Sequence, residues 1–268
     1  MKGPKILQEW ENRWITNVGK WFPSERTVLR GHDLLSELGE EHWMKIFLLG
    51  ITGRNFSDEQ VRLFEGIWVI ATSYPDPRIW PNRVAALAGT SRSTSALAAG
   101  AALASSEGIL FGGRNNIRNI DQWLRFLERI KNGEDLRDVI KQELKTYRSL
   151  AGFGRPVSST DERITPMMKL ARSLKLGDGP HVHLAFEVEQ LLQKMRYRTK
   201  INIAGLGAAL AADQGMSREE YYYYITWCFS AGLAFAYVDT ASKPEGLFFP
   251  IRCERIKSKE HLRRQWQN

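Results

Sequence analysis

The sequence predicts an all-α protein, and three observations carry that reading. Apolar residues recur at the three- and four-residue spacing of an amphipathic helix in almost every periodic segment. Two segments open on a capping signature, Ser57-Asp58-Glu59-Gln60 and Ser217-Arg218-Glu219-Glu220. There a Ser hydroxyl can take a backbone N–H while the acid or amide three residues on reaches back. No set of segments alternates apolar and polar residues as half-buried strands do.

Taken in order, residues 1–30 carry Trp10, Trp14 and Trp21 with few periodic runs and read as an extended arm. Arg30-Gly31-His32-Asp33 is a turn whose His32 or Asp33 opens a helix through Leu34, Leu35 and Leu38. A second helix spans 40–49 and stops at Gly50. After the first capping box, Val61, Phe64, Ile67, Trp68 and Ala71 form one helical face reaching about Ser73. Pro75, Pro77 and Pro81 then force an irregular loop, with Pro81 suited to the first turn of a helix over 82–88.

Residues 94–107 are mostly Ala, Ser, Gly and Leu, a composition that lets another backbone approach closely. The Gly112-Gly113 turn follows, with Phe111 beside it. Helices are expected at 121–132, 134–150, from a Thr160 or Asp161 cap to Leu174, and at 181–196. A second small-residue helix covers 201–214. The helix of 221–238, with Ile225, Trp227, Phe229, Leu233 and Phe235, is apolar enough to be core. Residues 247–252 read as short and extended, before an exposed basic tail.

Composition narrows the function. The 268 residues suffice for a large domain with a smaller lobe, and 43% apolar content supports a buried core. No stretch is long and apolar enough to span a membrane, and the start lacks the pattern of a signal peptide. Cys228 and Cys253 fit no metal-ligand or redox spacing, which suits a reducing, cytoplasmic setting. His181 and His183, two apart on a helix, point in different directions, so no metal site is expected. The net charge of +8 has two readings, a solvated basic surface or an anionic partner. No helix-turn-helix, zinc-finger or RRM signature points to nucleic acid as that partner.

Short motifs in a fixed order then stand out. They are Arg30-Gly31-His32-Asp33-Leu34, Phe47-Leu48-Leu49-Gly50 and Gly108-Ile109-Leu110-Phe111-Gly112-Gly113-Arg114-Asn115, then Gly152-Phe153-Gly154-Arg155-Pro156-Val157 and Asp161-Glu162-Arg163. Asn202-Ile203-Ala204-Gly205 and Ala231-Gly232-Leu233-Ala234-Phe235-Ala236 complete the series. In this order they resemble the citrate synthase superfamily, especially its short citryl-CoA lyases and the matching domain of ATP-citrate lyase. The counterparts are RGYD, LLxG, GPLHGGAN, GFGHPV, DPR, NVDG and AGLIAH.

The resemblance implies an all-α, citrate synthase-like fold, with a large helical domain of residues 1–116 and 200–268 and a smaller helical lobe of 117–199. It implies a homodimer, or a hetero-oligomer with a family paralogue. It implies an acyl-CoA lyase or acyltransferase, with a small carboxylate or a coenzyme A thioester as substrate and no bound cofactor. The family's catalytic groups are the two His of GPLHGG and GFGH and the Asp of NVD, which removes the proton α to the thioester. This chain has Phe111, Arg155 and Ala204 there. Phe donates no hydrogen bond and Ala accepts no proton, while Arg stays protonated and stabilises anions only.

Arg163 and Arg252 match or lie near the family's carboxylate-binding arginines, and Asn202 opens the NVDG-like segment. The loop before Asn82 carries Arg78 and Trp80 where the family has a His-containing substrate segment. Asp76 is the carboxylate there that would replace a lost base, although a turn residue is the simpler explanation. Two functions follow. One is an enzyme with a diverged site built on Arg155 and an aromatic cavity, acting other than by the Asp-base Claisen reaction. The other is a non-catalytic subunit or ligand-binding regulator of an active paralogue.

Overall fold

The computed structural model describes residues 4–108, 113–155, 158, 160–247 and 252–256. In chain order the elements are α1 (Lys5–Trp10), β1 (Gly19–Phe22), β2 (Arg26–Leu29), β3 (His32–Asp33), α2 (Trp43–Thr52) and α3 (Asp58–Ile67). A π-helical turn, Trp68–Thr72, extends α3. Then come α4 (Trp80–Thr90), α5 (Ser95–Ser105), α6 (Arg114–Lys131), α7 (Leu136–Tyr147), α8 (Ile164–Ser173) and α9 (Pro180–Lys194). Then follow α10 (Ile203–Asp213), α11 (Arg218–Cys228) and α12 (Ser230–Ala241), and a single 3-10 turn at Cys253–Arg255. Among the described residues the fold is all-α apart from one small antiparallel sheet in the order β1-β2-β3.

That sheet replaces the extended arm and the first helix expected from the sequence. Gly19 lies opposite Leu29, and Val28 lies opposite Asp33. Asp33 does not cap a helix. Its carboxylate accepts the N–H groups of Leu35 and Ser36 in a local turn, and 34–38 stays non-helical. Gly50 does not end α2 either. The helix runs to Gly53, whose φ of 71° lets its N–H close on the Leu49 carbonyl. The Ser57–Gln60 capping box forms in both directions at the start of α3. Pro81 sits in the first turn of α4 as expected.

Two further departures concern helix limits. α6 begins directly after Gly113, seven residues before the expected start, because its polar first turn hides its periodicity. The apolar stretch expected as one core helix is two, α11 and α12, joined at Phe229. Trp227, Phe235 and Val238 are exposed rather than core. Residues 247–252 and the basic tail fall largely outside the described residues, as do Phe111, Gly112, Pro156 and Val157.

Contacts group the chain into two units, Met1–Ser73 with Gly113–Cys228 and Tyr74–Gly112 with Phe229–Asn268. This division differs from the lobes 1–116 with 200–268 and 117–199, because α10 packs on α6 and α9 and stays with them. In the first unit α10 is the central helix. Its residues Leu206 to Ala211 are buried, and their small side chains admit neighbours closely. Around it Trp123, Phe126, Met167, Leu192, Tyr221 and Tyr224 are fully buried. The core of the second unit is built from smaller residues, Ala85, Ala86, Ala102, Leu233 and Ala236, where α4, α5 and α12 meet.

Candidate functional site

Two backbone segments of the first unit are tied together at Gly152–Arg155 and Lys200–Gly205. Gly154 donates to the Lys200 carbonyl at 2.7 Å, Asn202 donates to the Gly152 carbonyl at 2.9 Å, and Phe153 forms a lone antiparallel bridge with Ile201. Gly152 has a φ of 77°, and a Cβ there would lie 2.4 Å from the Gly205 Cα. Only glycine at both positions permits this approach. Trp123 secures it by donating Nε1–H to the Gly205 carbonyl at 2.8 Å, and Gln122 holds Ala151 through both its N–H and its carbonyl.

Asn202 caps α10 by accepting the Gly205 N–H, and its own amide donates to the Gly154 carbonyl. Ala204 is the second residue of that helix and half-buried. Asp161, rather than capping α8, turns toward the same helix end. Its Oδ2 accepts the Ile203 N–H at 2.9 Å, and α8 starts without a side-chain cap. Both oxygens of Asp161 engage the Arg163 guanidinium, at 2.8 Å to Nε and 2.9 Å to Nη2. Nη1 of Arg163 donates to the Ala71 carbonyl at 3.3 Å, which the π-helical turn presents.

Burial pulls the Asp161 carboxyl toward a higher pKa. The Arg163 guanidinium and the Ile203 and Arg163 N–H groups outweigh it and hold the value below that of an ordinary aspartate. Arg155 joins the cluster from outside. Its Nη1 donates to the Thr160 carbonyl and to Glu162, and lies 3.7 Å from Asp161. The loop thus brings Arg155, Arg163, Asn202 and Ala204 around one buried carboxylate. That carboxylate is already fully engaged and is a poor base.

In the second unit, the loop before α4 is held by its own side chains. Asp76 binds Arg78 through both oxygens, and this pairing lowers its pKa, so Asp76 too is a weak base. Buried Asn82 donates to the Tyr74 and Asp76 carbonyls, bracing the loop rather than facing an open pocket. Trp80 is half-exposed with the Arg83 guanidinium over its ring. Arg252 is exposed, and Phe111 lies outside the described residues. No group of three or more His, Cys, Asp or Glu with metal-site geometry occurs among the described residues. No helix among them is long and apolar enough to cross a membrane.

Sequence reasoning gave Asp161 a capping role and a place in the Asp161-Glu162-Arg163 motif, but not its bond to Ile203, which meets it only through tertiary folding. It also passed over Asp213. That residue ends α10 and accepts the His181 and Val182 N–H groups and the His181 ring at 2.8 Å, so it caps α9 from another helix.

The comparisons agree with this architecture. A citryl-CoA lyase from Hydrogenobacter thermophilus superposes with a TM-score of 0.82 at 18% identity, covering 95% of this chain and 97% of that one. An ATP citrate lyase from Methanosaeta concilii in complex with (3S)-citryl-CoA superposes at 0.74 and 16% identity, over 97% of this chain but 44% of that one. A citrate synthase from Thermotoga maritima gives 0.60 at 14% identity, over 84% of this chain and 58% of that one. At such identities the likeness is one of fold. No curated protein matches the chain. The family described as citrate synthase, C-terminal domain, matches residues 26–216, and the chain belongs to that family.

Proposed function

We propose that this protein keeps the citrate synthase/citryl-CoA lyase-like scaffold but has left the Asp-base Claisen reaction, taking a carboxylate or acyl-CoA-type ligand in a diverged site. The observation that carries the reading is the state of Asp161, the carboxylate bonded to the residue before Ala204. Asp161 bonds Ile203 next door, yet its lone pairs are spent on Arg163 and that amide. A general base must be free to reach the substrate proton, and its pKa must approach the working pH. Asp161 meets neither condition.

Arg155 is the group left to act on a ligand. Its guanidinium is one-fifth exposed, and its ion pair to Glu162 is made to a carboxylate that is itself mostly exposed. An incoming anion can exchange with Glu162 at little cost, since solvent-exposed pairs contribute about 0–1 kcal/mol. Arg163 is a weaker candidate for a ligand, because Asp161 already occupies the face that would grip a carboxylate bidentately.

The test is to incubate the protein with citryl-CoA, and separately with acetyl-CoA and oxaloacetate, and to follow thioester turnover. The expected result is no family turnover, together with a rise in melting temperature with CoA esters that Arg155→Ala abolishes. Cleavage of citryl-CoA at a rate typical of an enzyme would overturn the reading.

A second reading, a non-catalytic subunit in a homodimer or beside a paralogue, is favoured by α5. Ala96, Leu97, Ala99, Gly100, Ala101 and Ala104 are exposed on a helix with no charged side chain. A surface of this kind is suited to close packing with another helix. Sedimentation of the purified chain, alone and with a homologue carrying intact His, His and Asp, separates the two. A monomer that ignores the homologue sinks the subunit reading.

A further inference from the structure

The small sheet has an open edge. β1 pairs with β2 on one side, and among the described residues nothing pairs with its other side. The direction of its free groups follows from β2. The Thr27 carbonyl accepts the Leu34 N–H at 2.7 Å, on the side of β3. Thr27 lies opposite Trp21, so theirs is the kind of antiparallel pair that exchanges no hydrogen bonds. The N–H and carbonyl of Trp21 therefore point outward from the sheet edge, as do those of Gly19 two residues before. Such a row of unpaired backbone groups is a template for a further strand.

The segment leading into this edge is exposed as well. Trp10, Trp14 and Trp21 are 54%, 92% and 67% exposed, and Ile6, Leu7 and Ile15 stand open beside them. The three indoles alone hold on the order of 400 Å² of uncovered side chain, about half of one partner's share in a standard interface. α1 buries no residue of its own. A lipid surface is a poor cover for it, because Glu9 and Glu11 interrupt the apolar segment. Hydrocarbon also offers nothing to the outward N–H and carbonyl of Trp21. A strand from another chain satisfies both the backbone groups and the indole.

We propose that β1 pairs with β1 of a second copy of this chain, antiparallel about a two-fold axis at Trp21, joining two three-stranded sheets into one. A two-fold axis normal to a sheet keeps every side chain on its own face, so it must pass through a residue. In the middle of β1 that residue is Lys20 or Trp21. An axis at Lys20 would set two ammonium groups against each other. An axis at Trp21 pairs the two indoles, lets the two Trp21 backbones exchange both hydrogen bonds, and puts each Lys20 opposite the Phe22 of the other copy. Lys20 already holds its ammonium 5.1 Å from its own Phe22 ring, so cation and ring are matched neighbours on that face. The strand is thus complementary to itself, as a closed two-fold contact requires. The edge is independent of α5, which belongs to the other contact unit.

Sedimentation velocity of the full chain at micromolar concentrations tests it. The unmodified chain is expected to self-associate. Trp21→Lys and Trp21→Glu each set like charges across the axis and are expected to weaken that association at least about tenfold, the weight of a central aromatic residue. Mixed in equal amounts, the two variants set opposite charges there and are expected to associate at least about threefold more tightly than either alone. Both changes lie on an exposed edge, and circular dichroism of each variant checks that the fold is kept. A further contact through another surface would leave its own assembly standing, so the readout is a halving of mass in each variant and its return on mixing. An unmodified chain that sediments as a monomer overturns the proposal. So does association indifferent to Trp21→Lys, or a loss in both variants that mixing does not recover. Capture of the edge by a strand of a different protein or by anionic vesicles, with the chain alone monomeric, counts as the first of these.

Discussion

Asp161 grips Arg163 with both carboxylate oxygens, at 2.8 and 2.9 Å, and in the same position accepts the first N–H of α10. Its side chain is wholly buried, so the pair is an internal part of the fold rather than a surface contact. Asp161→Asn keeps the volume but leaves the guanidinium without its counter-charge. Removing one partner of a buried pair costs about 3–5 kcal/mol. Urea denaturation is expected to show a loss of that order, and a loss under about 1 kcal/mol would mean the pair is solvated in solution.

The same pair sets an acid limit. The folded Asp161 pKa lies below its ordinary value of 3.8, so its contribution to stability is complete above that value. It is lost as pH falls through the depressed folded pKa. A melting curve taken from pH 6 down to pH 2 should therefore bend downward below about pH 4. In Asp161→Asn that part of the bend should be missing, while the remaining carboxylates keep theirs.

Gly152 and Gly205 touch backbone to backbone. A Cβ on Gly205 would stand 2.5 Å from the Gly152 carbonyl oxygen, and one on Gly152 would also need the φ of 77° that side chains disfavour. Gly152→Ala should be destabilising by more than about 2 kcal/mol, since neither backbone can yield without breaking the Asn202 and Gly154 hydrogen bonds. Gly100→Ala, where a new methyl meets nothing, is the control and should be neutral or slightly stabilising.

Asp213 supplies α9 with the cap its own N-terminus lacks. Asp213→Ala should cost about 1–2 kcal/mol, the usual value of a helix N-cap, with the loss read by chemical denaturation. His181→Ala removes the ring contact but keeps the two backbone bonds, so it should cost less. The reverse order would place the weight on the imidazole.

Cys228 is buried beside Tyr224 and Thr72, and burial raises its thiol pKa well above the usual value. The thiolate is the reactive form, so the native protein should resist iodoacetamide at pH 8 at this position and react after unfolding. Peptide mass spectrometry of the alkylated chain reads both states. Rapid native labelling of Cys228 would contradict its burial.

Much of the framework was legible in the sequence because it is written locally. The Ser57–Gln60 box and Pro81 in the first turn of α4 each state their role within a few residues. The motif order also marked Arg155, Arg163 and Asn202 as candidate site residues. What escaped was whatever needs a distant partner. The sheet of 19–33 pairs short segments whose alternation is too brief to register. Asp161 resembled a helix cap until Ile203 arrived from forty-two residues away. The helix break at Phe229 has no Gly or Pro to mark it, and the exposure of Phe235 follows from which neighbours are absent, not from its own type.

Ile203 extends this reasoning to time. The opening amides of a helix have no carbonyl inside it to hold them and normally trade their protons with water quickly. The Ile203 amide is held instead by a side chain from another part of the chain. Its deuterium uptake would therefore keep the clock of the 160–163 loop. The exchange rate would report the share of time for which Asp161 is released, and with it the time for which Arg163 is free to take a different anion.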